Sequence, residues 1–137
     1  MPTNQLYHTW IQQISELRPG QRITQTRNFV LLMYGIYQSR SVYLSRIAGK
    51  IPGKAKLQST VKRFDRFLNN PAIRVREWYQ PVALQWLAGQ FARIGEIHLI
   101  VDGTKIGFGH QLLMVSLAYR HRAVPMAWAW VRHVRGH

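Results

Sequence analysis

The sequence predicts an α+β fold, with a helical region over residues 1–93 followed by the strands of a sheet over 94–137. Three observations carry that division. Up to Arg93 the apolar residues recur every three or four positions, the period of one helix face. Beyond Arg93 they come in short runs and then alternate, the period of a strand. Breaks at Pro19-Gly20, Pro52-Gly53 and Asn70-Pro71 cut the first region into helix-sized pieces.

Leu6, Trp10, Ile14 and Leu17 form the stripe of a first helix, which Pro19-Gly20 stops. A second helix is expected from about Thr24 to Gln38. Ser41 is a candidate cap for a short third helix burying Leu44, Ile47, Ala48 and Ile51. In LQSTVKRFDRFLNNP, Leu57, Val61, Phe64 and Leu68 fall on one face, with Ser59, Lys62, Arg63 and Arg66 on the other. A last helix spans Arg74 to Arg93 with Trp78, Val82 and Trp86 as its stripe. Pro81 must kink that helix or restart it. Ile97 to Val101 reads as a strand covered on both faces. Leu112 to Tyr119 is a second strand, Arg120-His121-Arg122 a polar turn, and Val124, Met126, Trp128 and Trp130 the alternating face of a third. Three strands joined by short connections make an antiparallel meander. Pro125 belongs at a strand start or where no ladder bond is required.

The 137 residues carry 19 Lys and Arg against 5 Asp and Glu, a net charge of +14. Such an excess points to a polyanionic partner, because cations that displace condensed counterions drive nucleic-acid binding. A membrane surface or an acidic protein has the same attraction. The chain has no cysteine, which excludes disulfides and thiolate metal sites and suits a reducing cytosol. MPTNQLYHTW lacks the basic and apolar regions of a signal peptide. The longest apolar run, Phe29 to Tyr37, is far short of the ~20 residues of a membrane helix, so no membrane partner is expected.

The charge is concentrated. Arg40 to Arg76 holds ten Lys and Arg and one acid, Asp65, a net +9. Two short helices joined by a Pro-Gly turn, the second with a basic outer face, suggest a unit like a helix-turn-helix. Lys62, Arg63 and Arg66 would then reach phosphates or guanine edges. Lys54 and Lys56 suit phosphates near the helix start, and Ser59 and Thr60 let the backbone approach. A solvated helix face is the plain alternative, but such faces mix signs.

LIVDGTK, Leu99 to Lys105, poses a separate question. Asp102-Gly103 can begin a turn. Alternatively, Asp102 is a hard oxygen ligand for Mg²⁺ or Mn²⁺, held at the end of a rigid strand. The glycines of GTKIGFG fit a hairpin better than a phosphate loop or a dinucleotide fingerprint. His133 and His137 have a metal-like spacing but no Cys or acid beside them, which argues against zinc.

LIVDGTKIGFGHQLLMVSLAYRHRAVPMAWAWV resembles the opening of the catalytic domain of bacterial insertion-sequence transposases of the DDE class. IPGKAKLQSTVKRFDRFLNNP, followed by REWYQP, resembles the helical region before it. The resemblance implies the first three strands of an RNase H-like domain and makes Asp102 the first catalytic and metal-binding carboxylate. It also implies Mg²⁺ or Mn²⁺ in the full-length enzyme, transposon-end DNA as partner, and a bacterial cytoplasmic, nucleoid-associated setting. The family needs a second Asp and a Glu further on, and no acid follows Asp102 in this sequence. Glu96 lies six residues before Asp102, ~20 Å along an extended strand. The expectation is a truncated transposase that binds DNA without catalysis and holds no metal stably. Its incomplete sheet could self-associate through an open edge. The alternative is a stand-alone basic protein that binds DNA or RNA and has no enzymatic ancestry.

Overall fold

Five helices precede a three-stranded antiparallel sheet, described over residues 2–132 of this computed structural model. Helix gives way to strand after Ile94. The compact units divide earlier, between Trp78 and Tyr79, within the last helix.

The first unit contains α1 (Pro2–Leu17), α2 (Ile23–Ser39), α3 (Leu44–Ala48), α4 (Leu57–Leu68) and the opening turn of α5 (Val75–Ile94). Gly20, at φ 84°, turns the chain after α1. The α1 and α2 helices meet where Trp10 and Tyr37 stack edge to face at 5.9 Å. The α2, α3 and α4 helices share a core of Leu32, Ile47, Phe64 and Phe67, with Phe29, Leu31, Leu44, Ile51 and Ile73 packed around it. Gly35 permits the close approach of α2 to α3: a Cβ there would lie 2.4 Å from Ile47 Cγ2 and 2.9 Å from the Ile47 carbonyl oxygen. Ser41 does not cap α3. The cap position is Tyr43 and has no side-chain bond. Ser41 Oγ instead accepts the Tyr43 amide at 3.1 Å, forming a local turn ahead of the helix.

The buried face of α4 is rotated from the expected one. Thr60, Phe64 and Phe67 are buried, whereas Leu57 and Leu68 are each half exposed. Two phenylalanines offer more apolar area than two leucines at the helix ends, and they set the rotation. Thr60 is tolerated inside because its hydroxyl donates to the Lys56 carbonyl at 3.5 Å.

Pro81 neither restarts nor ends α5, which runs unbroken through it. Proline has no amide hydrogen, so the Glu77 carbonyl four residues back loses its helical donor. Arg18 fills the vacancy: its Nη1 donates to the Glu77 oxygen and its Nη2 to Gln21 Oε1 at 2.9 Å. The same guanidinium lies 4.7 Å from the centre of the Trp78 ring. Trp78 is buried and also meets the rings of Phe29 and Phe67, at 4.7 and 6.4 Å.

The second unit contains the rest of α5 and the sheet β1 (Leu99–Ile106), β2 (His110–Tyr119), β3 (Arg122–Arg132), in that order. Gly95, at φ 82°, ends α5 with its amide on the Phe91 carbonyl at 2.7 Å. The GTKIGFG glycines do form a hairpin: Gly107 and Gly109 take positive φ around an exposed Phe108. Arg120 and His121 make the second turn with φ of 47° and 61°, the pattern of a two-residue hairpin. The ladder between β2 and β3 shifts register at Val115/Ser116, where Met126 is the extra residue. Pro125 sits beside that bulge, where a missing amide costs least. Its carbonyl accepts the Tyr79 hydroxyl, and burial pushes the Tyr79 phenol above its ordinary pKa. Ala83, Leu117 and Met126 form the core, with Tyr79, Leu87, Tyr119 and Val124 around it. Of the expected stripe, Trp78 is buried, Val82 is half-buried and Trp86 is exposed.

The first strand differs from expectation in two ways. It starts at Leu99 and extends to Ile106, and all eight of its residues are exposed. Leu99, Ile100 and Val101 keep 55%, 45% and 64% of their surface. Its continuous apolar run indicated two covered faces, but among the described residues β1 is an uncovered edge strand that pairs with β2 alone.

Two substitutions test these contacts. Gly35→Ala forces α2 from α3 and should lower stability by roughly 1–3 kcal/mol, read from the urea midpoint. An unchanged midpoint would mean that the two helices separate freely. Arg18→Leu keeps apolar bulk near Trp78 but removes the donor to Glu77. It should cost about 1 kcal/mol, and a greater loss in Arg18→Leu than in Arg18→Lys would identify the hydrogen bonds as the cause.

Candidate nucleic-acid interface and the setting of Asp102

The basic segment is built on α4 and the connector before it. α3 ends at Ala48 and α4 begins at Leu57, so eight residues join them. A helix-turn-helix uses three or four, and the likeness to that motif is therefore loose. Gly53, at φ 131°, bends the connector. Lys54 and Lys56 lie exposed on it, and Lys56 occupies the N-cap position of α4. No side chain caps this helix start and its first turn holds no acid. Uncapped amides beside lysines form an electropositive end suited to an anion.

Along α4, Ser59, Lys62 and Arg66 are exposed, as expected. They stand three and four residues apart and so share a face. Arg66 Nε donates to the Lys62 carbonyl at 3.4 Å. Asp65 accepts from Asn69 Nδ2 at 3.1 Å. Two of the expected contacts are relocated. Arg63 is half-buried, with its Nε shielded from solvent and its guanidinium 5.7 Å from the Phe64 ring. Thr60 lies in the core and cannot admit a backbone from outside. Both follow from the rotation of α4 towards Phe67.

Asp102 is neither a turn residue nor a strand terminus. It lies within β1, paired with Met114, and the strand continues through Gly103 to Ile106. Its Oδ1 accepts the Gly103 amide at 2.8 Å. A Cβ on Gly103 would lie 2.4 Å from Gln111 Nε2, the movable end of a flexible side chain. Register places Asp102 on the same face as Ile100, Thr104 and Ile106, and across the sheet Met114 and Trp128.

The residues around Asp102 do not fit a divalent ion. Mg²⁺ favours several converging oxygens, and no cluster of three His, Cys, Asp or Glu exists among the described residues. Glu96 is engaged by His98 Nε2 at 2.9 Å. His133 and His137 lie outside the described residues. Among the described residues no helix is long and apolar enough to cross a membrane.

The contribution that sequence reading missed is aromatic. Guanidinium groups of Arg46, Arg93 and Arg120 lie over tyrosine rings, at 5.3 Å from Tyr43, and 5.7 and 5.2 Å from Tyr119. Adjacent Arg and Tyr at 119–120 was the available signal. No protein-family model, curated protein or solved structure matches the chain.

Proposed function

We propose that this protein binds DNA through the connector and outer face of α4, and that it is the N-terminal portion of a DDE-class insertion-sequence transposase. The observation that carries DNA binding is the charge: ten cations and one acid between Arg40 and Arg76, with Lys54, Lys56, Lys62 and Arg66 all exposed. The contact is electrostatic first. Lysines and an uncapped helix start meet phosphates, and Ser59 and Arg66 are placed for hydrogen bonds to the backbone or a base edge. In this reading α4 tracks the duplex, and its sequence preference comes from few residues.

The transposase assignment rests on the resemblance of the Asp-Gly-Thr strand and the helical segment before it. The antiparallel order β1-β2-β3 supports it, since the first strands of an RNase H-like domain are a meander. Asp102 is then the first of three catalytic carboxylates. Cutting and joining DNA by two ions ~4 Å apart needs shared carboxylates, and the sequence has no acid after Asp102. These residues bind DNA without supplying that chemistry.

Two experiments test the reading. Affinity for duplex DNA should fall with salt at a log–log slope of about −0.9 per phosphate neutralised. Lys56→Ala, Lys62→Ala and Arg66→Ala together should weaken binding and flatten that slope by up to one unit per contact. Binding that the folded triple variant retains would remove α4 from the interface, and tighter binding of RNA than of DNA would move the protein to the alternative class. In a nicking assay with Mg²⁺ or Mn²⁺ on DNA carrying the element's ends, wild type and Asp102→Ala should both be inactive. Wild-type cleavage that Asp102→Ala abolishes would establish a complete metal site and refute the assignment of Asp102 as one carboxylate without its partners.

A further inference from the structure

The second unit contains a cleft that the α4 reading does not use. It is an open concavity of about 320 Å³ lined by Gln85, Trp86, Gly89, Gln90, Arg93 and Tyr119. The first five share one face of α5, and Tyr119 ends β2. The Trp86 and Tyr119 rings meet edge to face at 5.0 Å. The guanidinium groups of Arg93 and Arg120 lie 5.7 and 5.2 Å from the Tyr119 ring. Arg93 Nη2 donates to Gln90 Oε1 at 3.2 Å, a neutral partner that leaves its charge uncompensated. None of the lining residues is acidic.

Gly89 is a second feature of the same cleft. A glycine inside a helix costs about 1 kcal/mol relative to alanine, and close packing is the usual reason for one. Gly35 has such a reason. At Gly89 an added Cβ would meet no atom within 4 Å. Packing does not require this glycine, and the absent side chain keeps the cleft open.

The groups present suit one kind of ligand. Trp86 is 41% exposed and offers a ring for stacking. Gln85 and Gln90 carry amides that can read a hydrogen-bonding edge. Arg93 offers a planar fork that matches phosphate oxygens. A planar heterocycle with a polar edge and an attached phosphate is a nucleotide. The volume lies at the small end of ligand pockets, which suits one nucleotide. Bases within a duplex are stacked on both faces, so the ligand is unpaired.

We infer that this cleft binds a single unpaired nucleotide, its base against Trp86 and its phosphate on Arg93. The ligand is either a free mononucleotide or one residue of a single strand. The inference rests on α5 and β2 and is independent of α4.

Isothermal titration of the full chain tests it with dAMP, deoxyadenosine, inorganic phosphate, a five-nucleotide single strand and a blunt duplex. dAMP and the pentamer should bind, and dAMP more tightly than deoxyadenosine or phosphate alone. Gly89→Leu, which fills the cleft, and Arg93→Gln should each weaken dAMP at least tenfold. A pentamer tenfold tighter than dAMP assigns the ligand to a strand, and equal affinities assign it to the free nucleotide. Duplex binding should stay within twofold in both variants, which checks folding and separates this cleft from α4. Should Gly89→Leu not fold, Arg93→Gln, at an exposed position, decides. No binding of dAMP or pentamer, or dAMP binding that Arg93→Gln retains, would overturn the inference.

Discussion

Cationic side chains outnumber carboxylates by 19 to 5, so most of them must rest against something other than an opposite charge. For many that is solvent; for Arg18, Arg46, Arg63, Arg93 and Arg120 it is a ring face. Arg18 lies over Trp78 and donates to the Glu77 carbonyl. Arg63 lies beside Phe64, Arg46 beside Tyr43, and Arg93 and Arg120 beside Tyr119. A ring attracts a cation without neutralising it. Each such contact therefore stabilises the fold and leaves the external field almost intact. Carboxylates in those places would have held the same arginines and erased the charge. An Arg–Glu pair, Arg74 with Glu77 at 3.4 Å, is exposed and contributes little.

Arg18 shows how far one such contact reaches. Pro81 opens a gap in the hydrogen bonding of α5 at Glu77. A water molecule could fill it, but a guanidinium already held over Trp78 loses less freedom in doing so. The tryptophan in turn is fixed by Phe29 and Phe67, which belong to α2 and α4. One arginine after α1 thus joins the proline-containing helix to the aromatic core of the first unit. The second unit has no equivalent cluster on its edge strand. Its buried residues gather at Leu117, Met126 and Ala83, while β1 is exposed along its length. Exposed Leu99, Ile100 and Val101 beside an unpaired ladder make β1 an edge on which another strand can pair.

The number and order of the elements were legible because they depend on period and punctuation. Leu6 to Leu17, the Pro-Gly breaks and the alternation from Val124 to Trp130 report local geometry, which tertiary packing rarely overrides. Three features depended on neighbours distant in sequence. The face of α4 was set by Phe64 and Phe67 meeting Leu32 and Ile47, and two candidates, Leu57 and Leu68, stayed outside. The covering of β1 was inferred from its own residues, yet covering is a property of what packs upon it. Asp102-Gly103 is an ordinary turn pair, but β2 supplies partners on both sides of it, Met114 and Leu113, and the strand continues. Of the candidate site, Lys54, Lys56, Ser59, Lys62 and Arg66 were legible as exposed. Arg63 was not, because its rotation follows that of α4.

Charge alone does not determine which form of nucleic acid a surface suits; the neighbours of the charge do. On α4 the exposed cations Lys62 and Arg66 stand four residues apart along a rigid rod, with Ser59 three residues before Lys62 on the same face. No exposed ring lies on that face. Such a surface matches evenly spaced phosphates and has nothing to offer a base face, which is the condition for duplex contact. In the cleft beside α5 the ratio reverses: one guanidinium group, that of Arg93, accompanies two rings and two amides. Stacking is worth ~1–3 kcal/mol per base, and it is available only to a base that has left its own stack. On the two proposed readings, the same surplus of arginine and lysine would meet paired nucleotides where the ring beside it is buried and unpaired ones where it is left exposed. Phe64 is fully buried under Arg63 and gives a ligand no surface; Trp86, next to Tyr119, retains 41% of its own.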